Sequence, residues 1–239
     1  MKVLITSGGT KIPIDTVRDI TNMSTGTFGT KIAEALLRHG HDISFVRAKG
    51  SKSPMEFRVD YKNQPFIDEG FRIWRRQRAE WFIHYKEWEY KTFEQYERTL
   101  QLAIGNDKPD VVVLAAAVSD YHVPNPMNGK LRSNDMLTLK LESLPKIINK
   151  VKGLWAPEVK LVGFKLLVGS TKSQLILASD KSCDENGCDM VVANDLEDIK
   201  RNKHKVIVVR PRTVPVIYES DPTDPDFLAN KIAEHIEQL

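Results

Sequence analysis

The first forty residues limit the possible folds more than any other stretch. Residues 1–6 (MKVLIT) form a short apolar run that stops at Ser7-Gly8-Gly9-Thr10, as a buried strand does on meeting a tight turn. A polar segment follows, residues 15–29 (DTVRDITNMSTGTFG), and leads into residues 31–38 (KIAEALLR), apolar at helical spacing. Residues 41–46 (HDISFV) read as the next strand. A strand–loop–helix–strand unit puts its loop at the carboxyl edge of a parallel sheet, where such folds bind ligands. The fold class expected is α/β: a Rossmann-like, mostly parallel sheet with helices on both faces.

The loop departs from the dinucleotide fingerprint. Gly8-Gly9-Thr10 can turn tightly and leave backbone N–H groups free to cradle phosphate, but no G-x-G-x-x-G is present. Instead Ser24, Thr25, Gly26, Thr27 and Gly29 crowd the start of the helix. Small residues there let an anion approach the positive end of the helix. A Gly/Ser-rich turn with no ligand has the same composition. Arg18 and Asn22 tilt the balance toward a ligand site: Arg matches phosphate or carboxylate with two donors, and Asn can donate to an oxyanion without adding charge.

With 239 residues, 41% of them apolar, the chain can bury a full core as one domain spanning 1–239. A net charge of +3 does not call for nucleic acid and suits anionic metabolites. Cys183 and Cys188 are too few for a disulfide framework or a self-contained zinc site. No signal peptide and no apolar run of membrane-spanning length is visible, so a cytoplasmic protein with no membrane partner is expected.

Arg47 and Lys49 follow the second strand where an NAD-binding fold carries an acidic residue. They could meet the 2′-phosphate of NADP or be plain solvated charges. Residues 55–61 (MEFRVDY) alternate as a third strand would. Residues 66–104, rich in aromatics and charge, read as one long or two shorter amphipathic helices. That stretch suits a surface helix, a wall of the active site or an oligomer contact, and, least, nucleic acid. Residues 110–116 (DVVVLAA) give the strongest central-strand signal, with Ala116 and Asp120 at its carboxyl edge. The Pro- and Gly-containing residues 122–134 have a mobile-loop composition and carry Lys130 and Arg132. Strands are expected at 136–141, 161–168, 190–193, 206–209 and 214–218, the last two as a hairpin. Helices are expected from Pro145 onward, over 173–184 and over 227–239.

Six segments in this order, V-R-x-I-T-N-x-S-T-G (17–26), A-A-V-S-D-Y (116–121), G-K-L-R-S (129–133), P-x-I-I (145–148), G-F-K-L-L (163–167) and A-N-D-L (193–196), resemble the phosphopantothenoylcysteine synthetase family in its free-standing bacterial form. The resemblance covers most of the chain. It implies a phosphopantothenate–cysteine ligase of coenzyme A synthesis. Such an enzyme activates 4′-phosphopantothenate with CTP to an acyl-cytidylate, releases pyrophosphate, and couples the acyl group to L-cysteine with release of CMP. It implies Asn22, Lys130 and Arg18 as catalytic residues. Nucleotide contacts would come from Gly8, Gly9, Thr10, Ser24, Gly26, Ala116, Asp120, Lys130, Pro145, Ile147, Phe164 and Lys181. Glu185 falls near the place of a second family lysine, and Arg132 replaces the lysine usual on the flap. Mg²⁺ is implied with the nucleotide, no protein metal ligands are assigned, and ATP is the alternative nucleotide. A chain that begins at the synthetase motif is expected to be free-standing and not to bind FMN. A homodimer is implied, with residues 131–141 and the hairpin at 206–217 as its contacts. The rival expectations are an NADP-dependent Rossmann-type reductase, and a nucleotide-sensing module without turnover.

Overall fold

The computed structural model describes residues 1–56, 67–131, 137–201 and 203–239. In chain order, β1 (Lys2–Ser7) is followed by a small antiparallel pair, β2 (Lys11–Pro13) and β3 (Asp19–Thr21), then α1 (Thr27–Arg38) and β4 (Asp42–Ala48). Next come α2 (Ile67–Trp81), β5 (Tyr85–Tyr90), α3 (Phe93–Asp107) and β6 (Val111–Leu114). A two-residue pair, β7 (Tyr121–His122) with β8 (Glu142–Ser143), precedes α4 (Ile148–Lys150), which continues as a π-helical turn, Val151–Trp155. The chain ends with β9 (Lys160–Leu167), α5 (Lys172–Asn186), β10 (Met190–Asp195), α6 (Leu196–Lys200), β11 (Lys205–Val209), β12 (Val216–Glu219) and α7 (Phe227–Glu237).

Among the described residues one eight-stranded sheet runs β12-β11-β10-β9-β6-β1-β4-β5. The pairs from β10 to β5 are all parallel, and β11 and β12 add an antiparallel edge. From β1 the chain moves outward through β4 and β5, then returns to lay β6 on the other side of β1. The strand order therefore reverses between β1 and β6, and a crevice at the carboxyl ends of those two strands is where such sheets take ligands.

Alternation along the strands feeds two layers of helix. Val3, Ile5, Phe45, Val113, Val192 and Val208 pack against Ile32 and Leu36 of α1 and Ile232 and Ile236 of α7. On the opposite face Leu4, Val112, Leu161 and Val191 meet Tyr96, Leu100 and Ile104 of α3 and Val151 of the π-helical turn, while Ile207 and Val209 meet Leu175 of α5. Each such side chain contributes about 1.5–3 kcal/mol when fully buried. Cys183 and Cys188 are buried in the second layer, where desolvation pushes their thiols up to about 11 and about 12, so both are packing groups.

Two expectations need correction. Residues 85–90 are a strand paired in parallel with β4, not part of a helix. The aromatic spacing there fits both periods: Trp88 and Tyr90 point to the α3 layer while Tyr85 packs on the other face. The open edge of β4 decided between them. Residues 137–141 form no strand; the pairing falls on Glu142 and Ser143 instead. Alternation gives a residue row two faces but cannot supply the neighbour whose backbone it must bond. Met55 and Glu56 lie in a turn, and the rest of the expected strand at 55–61 lies outside the described residues, as do Arg132 and Met136.

Candidate active site

Past the ends of β1 and β6 the two chains stay zipped together. Gly9 and Ala117 form a parallel bridge, Ala117 N–H donates to Gly8 O at 2.8 Å, and Thr10 N–H donates to Ala117 O at 3.3 Å. Side chains add to this seam. The buried Thr10 accepts from Ser119 N–H through Oγ1 at 2.8 Å, and Thr6 Oγ1 accepts from Ala116 N–H at 3.2 Å. Asn22 reaches across from the β3 side and donates from Nδ2 to Ala117 O at 3.1 Å. Gly8, Gly9, Thr10, Asn22, Ala116 and Asp120 thus gather at the switch point.

Glycine is required along this seam: at Gly9 a Cβ would lie 2.9 Å from Asn22 O, and Gly8 and Gly26 also need positive φ. Gly8 has φ +84°, and a Cβ there would lie 2.7 Å from Ala48 Cβ and 2.8 Å from Ser51 Cβ. Gly26 has φ +76°, and its Cβ would lie 2.8 Å from Ser7 Oγ. Side chains of this protein fill the space beside both glycines, so their smallness lets the β1 loop, the β4 loop and the start of α1 interlock. Ser7 Oγ donates to Gly26 O at 3.0 Å, which fixes α1 directly behind the Gly8 turn.

The start of α1 is open. Gly26 occupies the N-cap position with no side-chain cap, and the first turn carries no acidic residue. By contrast, α3 and α5 close their N-termini with Thr-x-x-Gln capping boxes, Thr92 with Gln95 and Thr171 with Gln174. A twelve-residue helix with no side-chain cap presents partial positive charge to an anion. Ser24, half-buried, sits just before it and donates its N–H to Asn22 O at 2.8 Å.

Other expected residues occupy less direct positions. The Asp120 carboxylate is exposed and ion-paired with Lys146, which follows Pro145. Ile147 is buried in the α3 layer, so it holds the segment after Pro145 in place through the core. Phe164 packs edge-on against Phe28 of α1, with ring centres 6.0 Å apart. Lys181 lies on an exposed face of α5 and pairs with Glu185 at 3.5 Å, so these two residues answer each other. Arg18 donates to the buried Asp15 at 2.9 Å. Lys130 is exposed, between two residues bonded to the 14–18 loop.

Arg47 is held by Glu87 at 2.7 Å and Glu89 at 2.7 Å and donates to Ser51 O at 2.8 Å. Desolvation alone would raise the Glu87 carboxyl; hydrogen bonds from Tyr85, Ser53 and Arg47 outweigh it and hold the group low. The charge of Arg47 is thus offset inside the fold, which weakens its fit to an NADP phosphate, while Lys49 is exposed.

Three residues near the site were not singled out by sequence. Lys146 reaches Asp120 across 26 positions, a separation no local pattern reveals. His204 packs on Phe28 with ring centres 5.1 Å apart; burial, then the Lys31 charge, lowers its pKa and favours the neutral ring. Asp15 heads the segment carrying Arg18 but reads as a turn residue until Leu131 is seen above it. Among the described residues no group of three or more His, Cys, Asp or Glu side chains could hold a metal ion.

Comparison with known proteins places the chain in a family. The family model for the DNA/pantothenate metabolism flavoprotein C-terminal domain matches residues 1–62 and 93–239. The interval it leaves out holds α2 and β5. The chain is 35% identical over 208 residues to the coenzyme A biosynthesis bifunctional protein CoaBC of Thermococcus kodakarensis, covering 87% of this chain and 44% of that protein. It is 29% identical to the phosphopantothenate–cysteine ligase CAB2 of Saccharomyces cerevisiae, covering 87% of this chain and 68% of that one. The chain spans less than half the length of its archaeal bifunctional relatives. The crystal structure of the DNA/pantothenate metabolism flavoprotein from Streptococcus pneumoniae superposes with a TM-score of 0.76 at 28% identity, covering 100% of this chain and 97% of that one. Since the family model matches most of the chain and the fold matches solved members, the chain belongs to the DNA/pantothenate metabolism flavoprotein C-terminal domain family.

Proposed function

We propose that this chain is a phosphopantothenate–cysteine ligase domain spanning 1–239 that works with CTP. The reading is carried by one observation: the uncapped N-terminus of α1, interlocked with the Gly8 turn and the β4 loop at the switch point. The likeness to CAB2, a phosphopantothenate–cysteine ligase, supports it. The reaction needs an anion-binding crevice, because all three parties carry carboxylate or phosphate.

In the first step the phosphopantothenate carboxylate oxygen attacks the α-phosphorus of the nucleotide and the P–O bond to pyrophosphate breaks. The α1 N-terminus and the Gly8-Gly9 part of the turn hold phosphate oxygens through backbone N–H groups, while Thr10 N–H stays bonded to Ala117 O. Lys130 offsets the charge gathering on the leaving pyrophosphate, with Arg132 two residues on in the sequence as a second cation. In the second step the cysteine amine attacks the acyl carbon and the nucleoside monophosphate leaves with the C–O electron pair. Asn22 donates to the oxyanion formed there, and Arg18 offers an anion the donors its pair with Asp15 leaves over. Ala116, Asp120, Ser24, Gly26, Pro145, Ile147, Phe164 and Lys181 frame the nucleotide in this reading. The side chains favour an ion carried by the phosphates over one caged by protein. Mg²⁺ supplies charge neutralisation between phosphate oxygens when bound.

A homodimer completes the proposal. Leu137 and Leu141 are half-exposed on an alternating row that pairs with no strand among the described residues, and Val214 and Val216 are exposed at the β12 edge. A second subunit would supply the missing neighbour for both. We place the enzyme in the cytoplasm; among the described residues no helix is long and apolar enough to cross a membrane.

The test is pyrophosphate release with 4′-phosphopantothenate, Mg²⁺ and either CTP or ATP, with and without L-cysteine. Release that requires phosphopantothenate, prefers CTP and is abolished by Lys130→Ala is the expected result. Preference for ATP would overturn the choice of nucleotide, and no release with either would overturn the ligase.

A further inference from the structure

Asp15 is a buried carboxylate that the proposed chemistry leaves unused. Its side chain is 0% exposed, yet it meets four donors. One oxygen accepts from the N–H groups of Val17 and Arg18, both at 2.7 Å, which closes a local turn. The other accepts from the Arg18 guanidinium at 2.9 Å and from Leu131 N–H at 3.1 Å, more than a hundred residues away. The same two segments are joined again beside it. Thr16 N–H donates to Gly129 O at 3.4 Å, Met127 N–H donates to Ile14 O at 2.9 Å, and Arg18 approaches Leu131 O at 3.4 Å.

Lys130 lies between the two residues so held. Burial alone would raise the Asp15 pKa, but the N–H groups of Leu131, Val17 and Arg18 and the Arg18 charge outweigh it and keep the carboxylate ionised. We infer that Asp15 is a positioning residue for Lys130: its carboxylate pins the 127–131 segment to the 14–18 turn and sets the lysine before the nucleotide arrives. This rests on the role of Lys130 proposed above. A cation on an untethered loop would have to be ordered during the reaction, whereas one already held loses no further freedom in the transition state. Such a contact raises turnover more than ground-state binding.

Asp15→Asn separates this role from mere folding. Asn keeps an acceptor for Val17 and Arg18 N–H, but puts an NH₂ group against Leu131 N–H and the Arg18 guanidinium, two donors. Turnover for pyrophosphate release should fall about tenfold or more, the change expected for losing a charge-assisted hydrogen bond. The KM for nucleotide should stay within about threefold, since ground-state binding is untouched. Trypsin cleavage of the Lys130–Leu131 bond, followed by mass spectrometry, should accelerate while cuts elsewhere keep their rates. Leu131→Pro deletes the N–H from the other side and should reproduce the turnover loss. If Asp15→Asn keeps wild-type turnover, or the Lys130 cut keeps its rate, while Lys130→Ala abolishes release, the inference fails and the ligase reading stands. If Lys130→Ala itself keeps full activity, the proposed role of Lys130 fails and takes this inference with it.

Discussion

Replacing Gly8 by alanine tests whether the interlocked glycine turn is built as described, and Gly50 provides the control. Both glycines have φ +84°. At Gly50 an added Cβ meets nothing within 4 Å, whereas at Gly8 it lands 2.7 Å from Ala48 Cβ and 2.8 Å from Ser51 Cβ. Gly50→Ala therefore carries only the left-handed backbone penalty, about 1–2 kcal/mol. Gly8→Ala carries the same penalty plus overpacking of a tight contact, a further ~1–3 kcal/mol. For a chain of this length each kcal/mol shifts Tm by about 2–4 °C, so the two variants should differ by roughly 2–12 °C. Thermal unfolding followed by circular dichroism measures the difference directly. Nucleotide-dependent pyrophosphate release adds the functional half: Gly8→Ala pushes the turn off Ala48 and Ser51 of the β4 loop and should lose activity, while Gly50→Ala keeps it. Equal Tm values for the two alanine variants would refute the packing argument, because backbone strain alone would then explain both.

Two further predictions concern groups that brace the site. The Tyr90 hydroxyl donates to Ser7 O at 2.8 Å from a buried position, so Tyr90→Phe should cost about 1–3 kcal/mol, read as a lower urea midpoint at unchanged slope; an unchanged midpoint would show that the bond adds nothing. Asp195 accepts from Ser170 N–H at 2.7 Å and Glu197 N–H at 2.8 Å, and these donors, Ser170 first, lower its pKa. A carboxyl lower in the folded state than the unfolded value of about 3.9 stabilises above that value and loses its contribution as pH falls through the folded one. Asp195→Asn should thus be less stable at pH 7 and show a shallower decline of stability in acid below about pH 4; parallel acid curves for variant and parent would contradict the assignment.

Several features of the site were legible in the sequence for local reasons. The apolar run to Thr6, the double glycine and the periodic helix after Gly29 are short-range signals. Together they place a ligand loop at the carboxyl end of β1. The β-branched run before Ala116 marked a central strand because both of its faces had to be buried.

The tertiary structure decided what spacing cannot. Residues 85–90 satisfy helical and strand periods equally, and only the free edge of β4 made them a strand. Residues 137–141 alternate well and still form no strand, because a ladder bond needs a neighbour that the chain does not bring there. Arg47 looked like a free cation until Glu87 and Glu89 were found across the sheet. Asp15 looked like a turn residue until Leu131 was found above it. Sequence pattern determines which faces of each element must be buried and where turns must fall, since these follow from covalent geometry and hydrophobicity along a few residues. Partners far apart in the chain decide which charges are offset and which loop is held, since a Coulomb or hydrogen-bond energy depends on distance in space.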